Sequence, residues 1–363
     1  MASDRFDRAK ALLESAGVDA ILVTNGTNRR YLTGFTGEDH AIDEPGGMAI
    51  IAPDGLLLFA PATNLPWAQS EANDDTTVLD WGSPWTRTVG EYAINQGWQK
   101  LGFEESTTSV ASYTDLTKHM NGQTVLVPVG KAVDGLRAVK TDEEIALLRE
   151  ALRMTDVAFV AAEARAREGM TEKELADIVA EELKNAGSEG ESFPTIVASG
   201  PNAAKPHHAP SDRVIQAGEP IIIDMGALHQ GYAGDLTRTI WFGEPSAELV
   251  TMYRNVQAAF DSAVAKAGPN ITGVEFDAAA RDVFAEQGTD QYFVHSLGHG
   301  LGLRVHEAPS ASFRSSDTLA PGNVVTIEPG LYVPGEMGVR IEDVVLITED
   351  GAENLTGAPK RVL

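Results

Sequence analysis

The sequence predicts a two-domain protein, with an α/β N-terminal domain over residues 1–134 and an α+β domain over 135–363. Three observations carry this expectation. Short apolar runs alternate with helical stretches up to about Val133, the pattern of an α/β layer structure. Thr-x-x-Glu boxes at Thr141–Glu144, Thr171–Glu174 and Thr272–Glu275 then open long helices. In such a box the threonine hydroxyl accepts from an early helix N–H while the glutamate reaches back to the threonine N–H. After residue 140 the order helix, helix, paired strands occurs over 140–245 and again over 246–363, so the second domain reads as two similar halves.

The elements follow in order. Residues 4–16 place Phe6, Ala9, Leu12 and Leu13 on one side of a helix, with Gly17 where a C-cap belongs. AILV at 20–23 reads as a buried strand. MAIIAP (48–53) and LLLFA (56–60) flank the turn dipeptide Asp54-Gly55, a hairpin signal. KLGFEES (100–106) and TVLVPV (124–129) are further strands with a helical stretch between them. The helix opened at Thr141 runs to about Arg167 and Gly169 breaks it; the one opened at Thr171 ends at Asn185–Gly187. Strands are expected at 195–199, 220–227 and 231–242. A helix over about 246–267, another from Thr272 to Gln287-Gly288, and strands at 324–327 and 338–347 complete the chain.

Composition excludes several classes. The net charge is −25, from 53 acidic against 28 basic residues. Phosphate binding needs a basic face, so a nucleic-acid partner is not expected. The acidity reads as a solvated surface that aids solubility, or as adaptation to a salty host. Cysteine is absent, which removes disulfides, thiolate zinc sites and cysteine nucleophiles. No apolar run approaches the ~20 residues needed to span a bilayer, and MASDRFDRAKALLES has no apolar core of a secretory signal. A cytoplasmic protein with no membrane partner is the expectation.

Five residues form an ordered series of possible metal ligands: Asp224 and Asp235 in IIIDMGALHQGYAGDLTRT, His299 in HSLGHGLGLRVHE, Glu328 in TIEPG and Glu342 in VRIED. This hard, oxygen-dominated set suits two divalent cations sharing bridging carboxylates better than one zinc held by nitrogen and sulfur. Two such ions activate a water and polarise a carbonyl at once, so the chemistry indicated is metal-assisted hydrolysis. Taken singly, the aspartates read as ordinary turn or edge residues, and Glu342 as the ion-pair partner of Arg340. If the two aspartate-bearing segments pair as a hairpin, their carboxylates face each other. Like charges so placed resist ionising, and a bound cation removes that cost. In strict alternation Arg340 and Glu342 share one strand face while Ile341 takes the other.

Histidines concentrate around the same series. His295, His299 and His306 lie within twelve residues, and Gly298, Gly300 and Gly302 would let backbone approach a ligand closely. These glycines do not form GxGxxG, so a dinucleotide site is rejected. The Gly/Pro/Asn-rich stretch 200–212 must be a loop, and it carries His207 and His208, either of which can reach over a site.

The blocks FPTIVASGPNAAKPH, IIIDMGA, GYAGDLTRT, HSLGHGLGLRVHE, TIEPGLY and RIED resemble those of the pita-bread metallopeptidases, and within them the Xaa-Pro dipeptidases (prolidases) and aminopeptidases P. TNRRYLTGFTG (27–37) is similar to part of that family's N-terminal domain. Methionine aminopeptidases, which usually lack this first domain, are a weaker match. The resemblance implies a creatinase-like N-terminal domain followed by a pita-bread catalytic domain. It implies a dinuclear centre of Asp224, Asp235, His299, Glu328 and Glu342, bridged by Asp235 and Glu342 and filled by manganese, cobalt or zinc. It implies His207 as the loop histidine, His295 and His306 as further residues lining the substrate site, and Arg340 as the arginine before the last ligand.

The implied activity is hydrolysis of the Xaa-Pro bond of short peptides, with Glu328 moving the proton, His306 stabilising the oxyanion, and His207 and His295 orienting the substrate. Chain length favours a dipeptidase; an aminopeptidase P is the alternative. All five ligand positions are filled, which counts against a creatinase-like C–N hydrolase or a non-catalytic binding protein. A homodimer is expected. One departure is EDHAIDEPGG (38–47), longer and more acidic than the turn of the family. It reads either as a solvated loop or as a lid that screens peptide length.

Overall fold

The computed structural model describes residues 2–42 and 44–363. Met1 and Asp43, which fall within stretches read above, lie outside the described residues. The chain divides into two compact units, residues 1–137 and 138–363.

Unit 1 contains α1 (Ala2–Ala16), β1 (Ala20–Val23), α2 (Gly26–Thr33), β2 (Met48–Ala52), β3 (Gly55–Ala60), α3 (Leu65–Glu71), β4 (Thr76–Asp80), α4 (Trp85–Asn95), β5 (Lys100–Phe103), α5 (Val110–Met120), β6 (Val125–Pro128) and α6 (Ala132–Gly135). Its strands form one mixed sheet in the order β4-β3-β2-β1-β5-β6. β2 runs antiparallel to both β1 and β3, so the expected hairpin is present. β1 is buried along its whole length, as a continuous apolar run in the middle of a sheet should be.

Sequence reading misses α2, α3, α4, α6 and β4. The physical reason is clearest at α2, a largely polar segment of which five of eight residues are buried. Asn25 caps it by accepting from Thr27 and Asn28 N–H groups, the role for which asparagine is favoured at that position. The Arg29 guanidinium is buried and donates to Asp39 Oδ1 at 2.6 Å and to the Gly47 carbonyl at 2.7 Å. Gly46 N donates to the same Asp39 oxygen at 2.7 Å. Both ends of the 38–47 segment are therefore tied to α2. Its described residues are irregular apart from an isolated bridge between Ala41 and Glu44.

Unit 2 begins with α7 (Asp142–Arg165) and α8 (Glu172–Asn185), which pack together, followed by β7 (Ile196–Ser199), β8 (Ile221–Met225), β9 (Leu228–His229), β10 (Tyr232–Ala233) and β11 (Leu236–Ile240). The second half repeats the order with α9 (Ala247–Lys266), α10 (Gly273–Glu286), β12 (Gly298–Gly300), β13 (Glu307–Ala311), β14 (Val324–Ile327), β15 (Gly330–Val333), β16 (Met337–Arg340), β17 (Asp343–Ile347) and β18 (Ala352–Asn354). Both arms of the capping box are present at Thr141, Thr171 and Thr272. The larger sheets run β11-β8-β7 and β13-β12-β14-β17-β18, and β9–β10 and β15–β16 form two-stranded ribbons. One apolar core lies under each half, Phe159, Val179 and Ile223 in the first and Phe260, Phe276 and Val345 in the second.

Two expected strands are broken, and both breaks fall at charged residues. The 231–242 run divides at Gly234-Asp235. Gly234 N donates to the Ala227 carbonyl at 2.7 Å, and a side chain at Gly234 would collide with Thr155 and the Ala151 carbonyl. The 338–347 run divides at Ile341-Glu342. There the halves are joined: Glu342 N donates to Thr237 O at 3.1 Å, Thr239 Oγ1 donates to Arg340 O at 2.8 Å, and Arg340 N donates to Thr239 Oγ1 at 3.1 Å.

Gly226 is the tightest point of the turn region between β8 and β11. A Cβ there would collide with the Gly234 carbonyl and Ser192 Oγ. Overpacking against fixed neighbours typically costs ~1–3 kcal/mol. Gly226→Ala is therefore expected to lower the urea midpoint of unfolding clearly below wild type. A wild-type midpoint would mean that this turn has room to relax.

Candidate active site

Most of the sequence-predicted site residues sit at or near an end or a break of a strand. Asp224 is the penultimate residue of β8, and Asp235 stands immediately before β11. His299 is the middle residue of β12, Glu328 follows β14, Arg340 ends β16, and Glu342 lies in the gap before β17. Strand ends leave side chains free of the ladder yet held by it. His295 precedes β12, His306 precedes β13, and His207 lies on the loop after β7.

All nine line one cavity of about 520 Å³, with Phe193, Ile196 and Val305 forming an apolar wall. His208 is not among its lining residues; its Nε2 lies 2.8 Å from Glu172 Oε2. The structure thus separates the two adjacent loop histidines, which sequence alone left as competitors.

Three expectations need correction. Asp224 and Asp235 do not face each other directly. Asp224 is registered opposite Thr237, so Asp235 is its diagonal neighbour on the same face, still within reach of a shared group. Arg340 does not pair with Glu342. Its Nη2 lies 2.5 Å from Asp224 Oδ2, while Glu342 Oε2 accepts from Thr237 Oγ1 at 2.7 Å. Arg340 and Glu342 do share the cavity side and Ile341 the core, but a break in the strand brings this about rather than strict alternation. Last, Gly298, Gly300 and Gly302 make room for neighbouring protein, and of the three Gly298 lines the cavity. Side chains there would collide with Thr326 O, Ala308 O and the Glu307 carboxylate. They let β12 sit between β13 and β14.

Further side chains orient the cavity residues. Arg340 donates from Nε to Thr237 Oγ1 at 3.0 Å and from Nη1 to the Tyr332 hydroxyl at 2.9 Å. The Tyr332 oxygen lies 2.8 Å from His295 Nε2, and His295 Nδ1 lies 2.8 Å from the Ser296 carbonyl. Since a carbonyl only accepts, Nδ1 carries the proton and Nε2 accepts from Tyr332. Likewise His299 Nδ1 faces the Gly300 carbonyl at 3.2 Å, so Nδ1 carries a proton and Nε2 is the nitrogen turned to Glu328 Oε1 at 3.2 Å and Asp235 Oδ2 at 3.7 Å. A backbone carbonyl on one ring nitrogen, with the second turned toward carboxylates, is how a metal-binding imidazole is prepared. Sequence reading missed Thr237 and Tyr332. Thr237 had a signal, since it lies two residues beyond Asp235 and so on the same strand face; Tyr332 had none beyond its place after TIEPG.

The electrostatics are costly without a cation. Burial, then the charges of Glu342, Asp224 and Glu328, push Asp235 well above the usual carboxylate range. Glu342 is raised in the same way, by burial and then by Glu328 and Asp224. Burial also raises Asp224, with Arg340 opposing. Glu328 goes the other way: burial would raise it, but the His299 hydrogen bond and charge, with His295 and Arg340, bring it down to about 2. Asp224 Oδ1 and Glu342 Oε1 are buried without a hydrogen-bond partner. Such atoms cost free energy unless something coordinates them. Ligand atoms of Asp235, His299 and Glu342 lie within 4.8 Å of one another. The donor set and the orphaned oxygens fit a divalent cation.

Comparison with known proteins agrees with this geometry. Residues 146–349 match metallopeptidase family M24 and residues 5–139 match the creatinase/prolidase N-terminal domain. An Xaa-Pro dipeptidase of Pyrococcus horikoshii is 35% identical over 362 residues, covering 99% of each chain. The structure of an Xaa-Pro dipeptidase from Bacillus anthracis superposes with a TM-score of 0.94 at 36% identity, over 100% of this chain and 99% of that one. An X-Pro aminopeptidase from Thermotoga maritima superposes at 0.87 with 32% identity and 99% coverage of both. The expected creatinase-like domain followed by a pita-bread domain is borne out. The chain therefore belongs to metallopeptidase family M24: it is a metal-dependent peptidase that carries a creatinase/prolidase N-terminal domain.

Proposed function

We propose that this chain hydrolyses the Xaa-Pro bond at the N-terminus of short peptides, as an Xaa-Pro dipeptidase. The observation that carries this reading is the convergence of four carboxylates and four histidines on one cavity with an apolar wall, in a chain matched end to end by proteins named Xaa-Pro dipeptidase. The similarity to an X-Pro aminopeptidase favours aminopeptidase P as the second reading. In either case residues 1–134 form the creatinase-like domain and 135–363 the catalytic one. The active form is a homodimer in the cytoplasm, with neither nucleic acid nor membrane as partner.

Asp224, Asp235, His299, Glu328 and Glu342 would hold two divalent ions. Manganese is the first choice for so oxygen-rich a set, cobalt or zinc the others. Bound cations supply the charge that polarises a carbonyl and makes water a nucleophile near neutral pH. Glu328, kept ionised, is the base: it takes a proton from the attacking water and delivers it to the departing proline nitrogen. His306, held neutral by burial and by the neighbouring His299, donates to the developing oxyanion. His207 reaches over the substrate from its loop. With both ring nitrogens engaged, His295 shapes the substrate wall rather than donating to the peptide. Arg340 steers Asp224 and Thr237. Phe193, Ile196 and Val305 give apolar contact to the first side chain or the proline ring.

Metal analysis tests the centre. Fully loaded protein is expected to hold about two divalent ions per chain, with chelation abolishing activity; activity after thorough metal removal would sink the reading. Glu328→Gln keeps the shape but cannot take a proton, so turnover on an Xaa-Pro dipeptide should fall at least ~10²-fold, the usual scale for a general base. Near-normal turnover at full metal occupancy would remove Glu328 from the mechanism. His299→Ala should lose metal, whereas His306→Ala should lower turnover with metal content nearly unchanged; the reverse pattern would exchange their roles. Comparing Xaa-Pro dipeptides with Xaa-Pro-Yaa tripeptides on the manganese-loaded protein separates dipeptidase from aminopeptidase P.

A further inference from the structure

The loop that carries His207 is gathered onto a single buried carboxylate outside the cavity. Glu172 is the first residue of α8, directly after the Thr171 cap, and its side chain is fully buried. Its Oε1 accepts from Ser199 N and Ser199 Oγ, both at 2.8 Å, and from Asn202 Nδ2 at 3.1 Å. Its Oε2 accepts from Ser211 Oγ at 2.6 Å and Ser211 N at 3.1 Å. The chain leaves β7 at Ser199 and comes back at Ser211, so both ends of the loop meet on one residue. Between them Asn202 and His208 also reach Glu172, His208 with Nε2 at 2.8 Å from Oε2.

Resting on the peptidase reading above, we propose that His208 is a positioning residue, latching the middle of the 200–212 loop to Glu172 so that the neighbouring His207 is presented to the cavity. The local geometry supports this. His208 N donates to the Lys205 carbonyl at 3.1 Å, closing a turn around Pro206 and His207. Side chains of adjacent residues diverge, so a His208 ring drawn toward α8 sends the His207 ring the other way. His207 and Pro206 line the cavity, and Pro206 O lies 3.4 Å from Arg340 Nη1. The helix N-terminus under Glu172 favours its negative charge.

The latch is separable from folding. Without His208, Glu172 keeps five donors from Ser199, Asn202 and Ser211, so no buried charge is stranded. What is lost is the side chain next to His207 that holds the loop, while Asn202 stays bonded to Glu172 six residues earlier. The effect of His208 should therefore be felt through His207 and nowhere else.

A double-mutant cycle reads this directly, because residues acting as one unit give non-additive losses. In the manganese-loaded enzyme, His208→Ala should lower kcat/KM on an Xaa-Pro dipeptide ~10- to 100-fold, the scale of a misplaced catalytic group. Metal content and melting temperature should stay at wild type. His208→Gln, whose side-chain N–H can still reach Glu172, should restore most of the loss. In a His207→Ala background, adding His208→Ala should cost nothing further. Additive losses, wild-type kcat/KM in His208→Ala, or no recovery in His208→Gln would each overturn the proposal. Hydrogen exchange supplies an arm independent of activity. Amides of 203–208 should exchange faster in His208→Ala and return to wild type in His208→Gln; unchanged exchange overturns the latch. Should the wild-type chain fail to cleave any Xaa-Pro peptide, the function reading falls, while the exchange comparison still decides the latch.

Discussion

A guanidinium buried among carboxylates organises the catalytic unit. Arg340 belongs to the second half, yet it bonds Asp224 and Thr237 of the first half and Tyr332 of its own. A planar fork of donors that stays charged is suited to such a position. Truncating one partner of a buried pair leaves an uncompensated charge, which is strongly destabilising. Arg340 compensates Asp224 and leaves Asp235 and Glu342 to be balanced by something else. Their raised proton affinity and the orphaned oxygens describe a site built around a positive charge larger than one arginine supplies.

Assembling that much negative charge requires a rigid frame. The frame is the seam where β11 meets the β16–β17 break. Arg238, also buried, donates to the Glu342 carbonyl and pairs with Asp343 at 2.7 Å. It also donates to the Ala358 carbonyl at 2.7 Å, and Asp156 accepts from Gly357 N and Ala358 N at 2.7 and 2.9 Å. Lys360 adds a second cation on Asp343 at 2.5 Å. The residues on either side of Glu342 are thus held by the first half and by the C-terminal tail. Low local dielectric makes such fully bonded networks strong and any broken member costly.

Much of this frame was legible because its causes are local. The three capping boxes are four-residue signals, and each has both of its hydrogen bonds. AILV at 20–23 and VVTI at 324–327 are strands in the positions read from their apolar runs. Segments whose burial is decided elsewhere were not legible. The helix α2 is polar by sequence, yet Arg29 is buried against Asp39 and Gly47 and Asn28 against Glu104 and Asp134. Strand breaks at Gly234-Asp235 and Ile341-Glu342 are set by contacts with α7 and β11 respectively, which no window of adjacent residues contains.

By itself the sequence determined the kinds of groups available for chemistry and their order along the chain: five hard ligands, clustered histidines, an arginine before the last glutamate and no thiol. It also determined the family, because those blocks stand in a recognisable order. Only the tertiary structure decided which groups meet. It put Asp224 opposite Thr237 rather than Asp235, gave Arg340 to Asp224 rather than to Glu342, and turned His207 into the cavity and His208 onto Glu172. Register, strand breaks and loop anchoring depend on partners tens of residues away, and one step along a strand or turn reverses the direction of a side chain.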